Sequence, residues 1–172
     1  MALLAELIAS NKSYAAGFDR ETTGQSHAPP VRRLAVLTCM DAREHPEAFL
    51  GLQVGDAHMI RNAGGRASDD ALRSLVISTQ LLGTTEIVVI HHTDCGMQTF
   101  SNDDLKAKLR VELGADASAI DFLPFSNLAQ SVRDDVKAIL SSPLLAPGIA
   151  VSGLVYDVHT GQLRQVVRRR VK

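Results

Sequence analysis

The chain has 172 residues, of which 45% are hydrophobic and 22% are charged, so it is long and apolar enough to form one domain with a sizeable core. Its 18 basic and 19 acidic residues give a formal net charge of −1, which argues against a dedicated nucleic-acid-binding protein. No apolar segment is long enough to span a bilayer and no secretory signal pattern opens the chain, so we expect a cytoplasmic protein with neither membrane nor nucleic acid among its partners.

The N-terminal stretch is predicted to be a helix followed by a polar connector. Its aliphatic residues share one helical face: Leu3, Leu4, Leu7 and Ile8. The connector ends at Pro29 and Pro30, which stop any helix. We therefore divide the chain into a helical arm with its connector, residues 1–30, and a single α/β domain, residues 31–172. The arm can pack on its own domain or on a neighbouring subunit.

The rest of the chain alternates between short apolar strands and helices. Strands are predicted at 34–38, 57–61, 86–90, 149–158 and 162–168. Helices are predicted at 46–50, from an N-cap at Ser68 to a stop at Gly83, near 103–113 and near 127–140. This pattern indicates a mainly parallel sheet of four strands with helices on both faces. The turn at 159–161 is too short for a helical crossover, so the fifth strand is predicted to be antiparallel.

Three candidate metal ligands lie on the loops that follow two of these strands. Cys39 comes directly after the first strand, and His92 and Cys95 follow the third. Because ligands of open α/β sheets bind beyond the carboxyl ends of the strands, these side chains are predicted to meet at one edge. Two thiolates and one imidazole suit tetrahedral zinc, and three protein ligands leave one position open for catalysis. Inert packing of two buried cysteines remains the alternative.

Two further pairs of residues are predicted to lie at the same edge. Asp41 and Arg43 form either an ordinary ion pair or part of the site, where Asp41 would occupy the fourth zinc position or turn to Arg43 and leave that position to water. Gly64 and Gly65 allow a substrate to approach the backbone, and their N–H groups can bind an anionic oxygen. A tight strand-to-helix turn is the alternative for the two glycines.

These motifs resemble those of the β-class carbonic anhydrases. The resemblance is carried by C-x-D-x-R at residues 39–43, R-N-A-G at residues 61–64 and H-x-x-C-G at residues 92–96. The run HHTDCGM, residues 91–97, is similar to a short-chain bacterial and fungal subgroup that also includes carbonyl sulfide hydrolases.

The resemblance implies a zinc enzyme that hydrates CO₂ reversibly to bicarbonate and a proton by means of a zinc-bound hydroxide. It implies one Zn²⁺ per chain held by Cys39, His92 and Cys95, with Asp41 and Arg43 as the catalytic dyad. It also implies a homodimer or homotetramer in which the N-terminal helix lies on the partner. Hydrolysis of carbonyl sulfide or carbon disulfide on the same zinc site is the alternative function.

Two other classes of function remain open on the residues themselves. A cysteine after a strand with an arginine downstream is typical of metal-free cysteine phosphatases, but three residues rather than five separate Cys39 from Arg43, and no CxxC motif indicates a thiol redox protein. A binding module with a structural zinc is the second class. For an enzyme, His58 and His91 are possible proton acceptors, although an ordinary structural role is the simpler interpretation of each.

Overall fold

A five-stranded sheet forms the centre of the computed structural model, which describes residues 3–19 and 28–172. The strands are Leu34–Cys39 (β1), Ala57–Asn62 (β2), Glu86–His92 (β3), Ala150–Tyr156 (β4) and Leu163–Arg170 (β5). Their order in the sheet is β2-β1-β3-β4-β5. The first four strands are parallel, and β5 pairs antiparallel with β4 at the edge. The structure thus confirms the predicted α/β fold.

Five α-helices accompany the sheet in the described residues: Leu3–Ala16 (α1), Pro46–Leu50 (α2), Asp69–Gln80 (α3), Asn102–Leu113 (α4) and Leu128–Leu140 (α5). The predicted start of α3 is confirmed, because the Ser68 hydroxyl accepts a hydrogen bond from the Ala71 N–H. The helix ends at Gln80, before the predicted stop. Thr84 N–H donates to the Ser78 carbonyl and closes the turn in which Gly83 lies.

The side chains of the central strands alternate between two hydrophobic clusters. Ala35 and Leu37 of β1 lie in the cluster that contains buried residues of α3 and α5. Val36, between them in sequence, packs in a second cluster with Leu52, Ile90 and partly buried side chains of α2. Because neighbouring strand residues point to opposite faces, these clusters show that helices cover both faces of the sheet, as predicted.

The central strands extend further than the sequence predicts. Cys39 is the last residue of β1 and pairs with Asn62 of β2, and His92 is the last residue of β3 and pairs with Tyr156 of β4. The prediction that these two residues lie on loops is therefore wrong, because the ladders continue past the aliphatic runs that defined the predicted strands. Cys39 and His92 are held by the sheet itself.

The N-terminal helix α1 presents no buried residue. The aliphatic residues of its predicted face are all between 50% and 69% exposed: Leu3, Leu4, Leu7 and Ile8. Residues 20–27, which contain most of the predicted connector, lie outside the described residues, so the division of the chain at residue 30 stays a prediction. None of the described helices combines the length and apolar character that crossing a membrane requires.

Candidate metal centre

Cys39, His92 and Cys95 converge at the carboxyl edge of the sheet. Their candidate ligand atoms lie within 4.8 Å of one another, and all three residues are buried. β1 and β3 are neighbours in the sheet, so the last residue of each is placed beside the other. The chain then turns at Asp94, whose φ of 54° is in the left-handed region, and this brings Cys95 to the same point. The structure thus brings together the three predicted ligands.

The His92 ring is arranged as a metal ligand. Its Nδ1 lies 2.8 Å from the Thr93 carbonyl oxygen, which can only accept, so in the neutral ring Nδ1 carries the proton and Nε2 carries a lone pair. Nε2 is buried and has no hydrogen-bond partner among the residues that the structure describes. Buried polar atoms are nearly always paired, and metal-bound histidines usually donate their other N–H in this way. One such nitrogen beside two cysteine sulfurs is a donor set that fits Zn²⁺.

Cys39 and Cys95 are hydrogen-bonded to each other. A hydrogen bond from Cys95 lowers the pKa of Cys39 to about 4, and the same bond raises the pKa of Cys95. The Gly64 N–H also donates to Cys39 Sγ at 3.3 Å, which further stabilises the thiolate. Burial lowers the pKa of His92, but the neighbouring Cys39 and Glu44 outweigh it and raise the pKa overall. The Cys39 thiolate gives the centre a negative charge, and this charge attracts a cation.

Asp41 and Arg43 form a two-point ion pair beside the ligand set. Arg43 Nε donates to Asp41 Oδ1 at 2.9 Å, and Nη2 donates to Oδ2 at 2.8 Å. These bonds hold the pKa of the Asp41 carboxyl well below its usual range. Asp41 Oδ2 lies 3.7 Å from His92 Nε2, too far for a hydrogen bond. The carboxylate is thus ionised and faces the candidate metal ligands.

Arg61 fixes the backbone on which Cys39 and Asp41 lie. Its Nε donates to the Cys39 carbonyl at 2.9 Å, and its Nη2 donates to the Asp41 carbonyl at 2.7 Å. Arg61 is the last residue but one of β2, so it ties this strand to the end of β1. The sequence motif at residues 61–64 contains the residue, but its contacts with the segment at residues 39–41 were not predicted.

A small cavity of about 260 Å³ opens on the ligand set. Its lining consists of Cys39, Met40, Asp41, Ala42, Ala63, Gly64, Cys95, Gly96 and Met97. Apart from the Cys39 thiolate and the Asp41 carboxylate, the side chains of this lining are small or apolar. The cavity suits a small uncharged molecule.

The two predicted substrate-binding glycines occupy different positions. Gly64 lines the cavity, and a Cβ there would approach Met97 Cγ to 2.9 Å, so the close contact and its φ of 81° both favour glycine. Gly65 lies behind the lining, where a Cβ would come within 2.8 Å of the Ile90 carbonyl oxygen. The role of either glycine in substrate binding stays a prediction.

A buried polar network lies behind the centre. His91 is fully buried, with Nδ1 at 2.8 Å from the Ser131 hydroxyl and Nε2 at 2.9 Å from Asp135 Oδ2. Arg66 Nε donates to the same Asp135 oxygen at 2.8 Å. The other histidine considered as a proton acceptor, His58, contacts the Ser78 hydroxyl and the Ala28 carbonyl. Both histidines thus have hydrogen-bond partners within the protein, and a part for either in proton transfer stays a prediction.

Glu44 is a buried carboxyl that the sequence analysis did not identify. Its exposed fraction is 4%, and Thr38 donates to its Oε2 at 2.8 Å. Burial raises the pKa of Glu44. No sequence signal marks this residue, because glutamates are mostly exposed and a single one after a strand carries no periodicity.

The chain is similar to known proteins over most of its length. A family model described as carbonic anhydrase matches residues 34–163. Beta-carbonic anhydrase 1 of Mycobacterium tuberculosis is 39% identical over 168 residues, which cover 96% of this chain and 99% of the relative. A carbon disulfide hydrolase of Saccharolobus solfataricus is 36% identical over 165 residues, which cover 82% of this chain and 80% of the relative.

The fold comparison agrees with these matches. A crystal structure of carbonic anhydrase from Streptococcus mutans superposes with a TM-score of 0.87 at 48% identity, covering 97% of this chain and 99% of that one. The three predicted ligands meet in the fold that these relatives share. The chain therefore belongs to the β-carbonic anhydrase family, in which carbonic anhydrases and carbon disulfide hydrolases are related enzymes.

Proposed function

We propose that this chain is a zinc-dependent carbonic anhydrase that interconverts CO₂ with bicarbonate and a proton, with one Zn²⁺ per chain held by Cys39, His92 and Cys95. The observation that carries the proposal is the buried Nε2 of His92, which has no hydrogen-bond partner in the described part of the chain. His92 offers a ligand atom within 4.8 Å of two cysteine sulfurs. The Asp41–Arg43 pair and the small cavity at this cluster support catalysis rather than a purely structural site.

Asp41, Arg43 and the two methionines of the cavity have different roles in the proposed reaction. Bound Zn²⁺ would supply the Lewis acidity that makes water nucleophilic near neutral pH. Asp41 remains ionised and accepts a hydrogen bond from the attacking water. Arg43 fixes the Asp41 carboxylate through two parallel N–H···O bonds, which hold its orientation better than one would. Met40 and Met97 give the apolar wall that admits CO₂ and disfavours charged molecules.

The test is stopped-flow acidification by the zinc-loaded protein, followed from about pH 9 to about pH 6.5. We expect kcat/KM of about 10⁴ M⁻¹s⁻¹ or more, falling as the pH is lowered. Arg43 keeps the pKa of Asp41 far below this window, so the fall cannot come from protonation of Asp41. The fall would instead come from protonation of the hydroxide form of the attacking water, with which the ionised Asp41 would compete for bound Zn²⁺.

Metal-depleted protein is the control for this measurement. Acidification no faster than in buffer, with one zinc per chain bound, would show that the proposed reaction is wrong. About one zinc per chain would also exclude metal-free cysteine chemistry. A rate that is constant over the pH window would contradict the competition by Asp41 but not the reaction.

Hydrolysis of carbonyl sulfide or carbon disulfide is the second candidate function. It is favoured by the relatives named carbon disulfide hydrolases, and it would use the same ligands and the same Asp41. The same preparation should be supplied with carbonyl sulfide or with carbon disulfide and assayed for released sulfide. We expect CO₂ to be turned over faster, and a faster release of sulfide would make the second candidate the main activity.

We also propose that the protein is a cytoplasmic homodimer or homotetramer in which α1 lies on a partner subunit. One face of α1 exposes a stripe of four aliphatic residues: Leu3, Leu4, Leu7 and Ile8. This stripe supports an oligomer, because a contiguous apolar patch on a helix is typical of an interaction surface. The two cysteines are not disulfide-bonded, which suits a reducing compartment.

Replacing Leu4 and Leu7 together by Asp is expected to reduce the molar mass in solution to that of a smaller assembly. Two carboxylates on the stripe oppose burial of this helix face. Light scattering after size exclusion gives the mass. Lys12→Asp, on the same helix, is the control and should leave the mass unchanged. An unaltered mass for the double variant would place the interface elsewhere.

A further inference from the structure

We propose that His159, on the turn between β4 and β5, is a positioning residue that holds the Asp41–Arg43 pair in place through Asp94. The inference deepens the proposed function and rests on it, because it assigns His159 a part in the same reaction. It starts from a contact between the β4–β5 turn and the short segment that separates His92 from Cys95.

Three hydrogen bonds join the end of β4 and the β4–β5 turn to residues 93 and 94. Thr93 N–H donates to the Tyr156 carbonyl at 3.0 Å, and Val158 N–H donates to the Thr93 hydroxyl at 3.1 Å. His159 Nε2 lies 2.6 Å from Asp94 Oδ2 and donates to it. The turn itself is fixed by Asp157, whose Oδ1 accepts the His159 N–H at 2.8 Å. The imidazole therefore projects from an ordered turn and anchors Asp94 from outside the metal centre.

Asp94 has an unusual backbone that depends on such an anchor. Its φ of 54° lies in the left-handed region, which residues other than glycine adopt at a cost, although Asp tolerates it better than most. In this conformation its carbonyl accepts a hydrogen bond from Arg43 Nη2 at 3.0 Å. A bond to the side chain of Asp94 thus fixes the carbonyl that receives Arg43.

Arg43 needs this third contact because its side chain is 49% exposed. Within the described residues, its guanidinium bonds only to Asp41 and to the Asp94 carbonyl. Without the bond to the Asp94 carbonyl, Arg43 and Asp41 could move together, because both lie on the loop that follows β1. The chain of contacts from His159 through Asp94 to Arg43 therefore sets the fraction of molecules in which Asp41 faces the ligands correctly.

The pair itself contributes little to stability. His159 and Asp94 are 68% and 59% exposed, and exposed ion pairs of this kind stabilise a fold only weakly. A merely structural role therefore predicts no change in kcat when His159 is replaced. A positioning role predicts a lower kcat with little change in KM, because fewer molecules are competent and those that are bind CO₂ normally.

The test compares His159→Ala, His159→Gln and Gln162→Ala as zinc-loaded proteins. We expect His159→Ala to lower kcat about threefold, with KM, zinc content and Tm unchanged. Glutamine places an N–H donor near the position of Nε2, so His159→Gln should restore most of the loss. Gln162 is exposed on the same turn, so Gln162→Ala should match the parent. Equal losses in the alanine and glutamine variants, a full rate in His159→Ala, or a change confined to KM would overturn the proposal.

A second measurement does not depend on activity. Hydrogen exchange of the Arg43 Nε–H, followed by ¹⁵N NMR in the zinc-loaded protein, reports on its bond to Asp41. We expect faster exchange in His159→Ala and the parental rate in Gln162→Ala. If the protein fails to hydrate CO₂ but this exchange still responds to His159, the proposed function is wrong and the contact chain stands. An unchanged exchange rate overturns the contact chain itself.

Discussion

Replacing Cys39 by Ala is expected to abolish zinc binding and CO₂ hydration together. Cys39 is one of the three proposed zinc ligands, and its Sγ accepts hydrogen bonds from Cys95 and from the Gly64 N–H. Alanine leaves a nitrogen and one sulfur, too few ligands for stable tetrahedral zinc. The cavity would also lose the charge that draws in the metal. We expect bound zinc to fall from one per chain to near zero and the rate to fall to that of buffer.

Metal analysis of the purified variant and stopped-flow acidification give the two readouts. The parent, stripped with a chelator and reloaded with Zn²⁺, is the control and should regain its activity. Cys39→Ala treated in the same way should not. Far-UV circular dichroism checks that the variant is folded. A variant that keeps one zinc per chain and the parental rate would show that Cys39 is not a ligand.

Replacing Asp135 by Ala is expected to lower the free energy of unfolding by about 3–5 kcal/mol. Asp135 accepts from both His91 and Arg66, and its side chain is 6% exposed. The Arg66 side chain is 11% exposed, lies over the Phe125 ring and donates to the Leu123 carbonyl. Removing the carboxylate therefore leaves a buried guanidinium without its counter-ion.

Urea denaturation followed by circular dichroism measures this loss. Asp134→Ala, on the exposed face of the same helix, is the matched control and should cost less than about 1 kcal/mol. Replacing Arg66 by Met and Asp135 by Leu together should cost less than Asp135→Ala alone, because no unpaired charge remains. Equal losses in Asp135→Ala and Asp134→Ala would show that the network contributes no more than a surface contact.

The convergence of Cys39, His92 and Cys95 could be predicted because it depends on local sequence patterns. Cys39 follows one apolar run, His92 and Cys95 follow another, and a general rule about parallel sheets places such positions at one edge. The same local patterns located the strands and helices to within a few residues. The errors fall where hydrogen bonding to a neighbouring strand decides the outcome, as at the ends of β1 and β3.

Contacts between distant residues were beyond prediction. Arg66 meets Asp135 across 69 positions, and Asp94 meets His159 across 65. Periodicity indicates which face of an element is buried, but not which polar side chains meet there. The left-handed backbone of Asp94 is likewise invisible, since most Asp residues adopt ordinary conformations.

The position of Cys39 and His92 as the last residues of paired strands has a consequence for metal uptake. The backbone at these two positions loses its conformational entropy when the sheet forms, before the ion binds. The affinity for the ion is then not reduced by an ordering entropy, as it is in small zinc domains that fold only around their metal. The backbone conformation should therefore be the same with and without the ion, and the ion would bind to a pre-organised site.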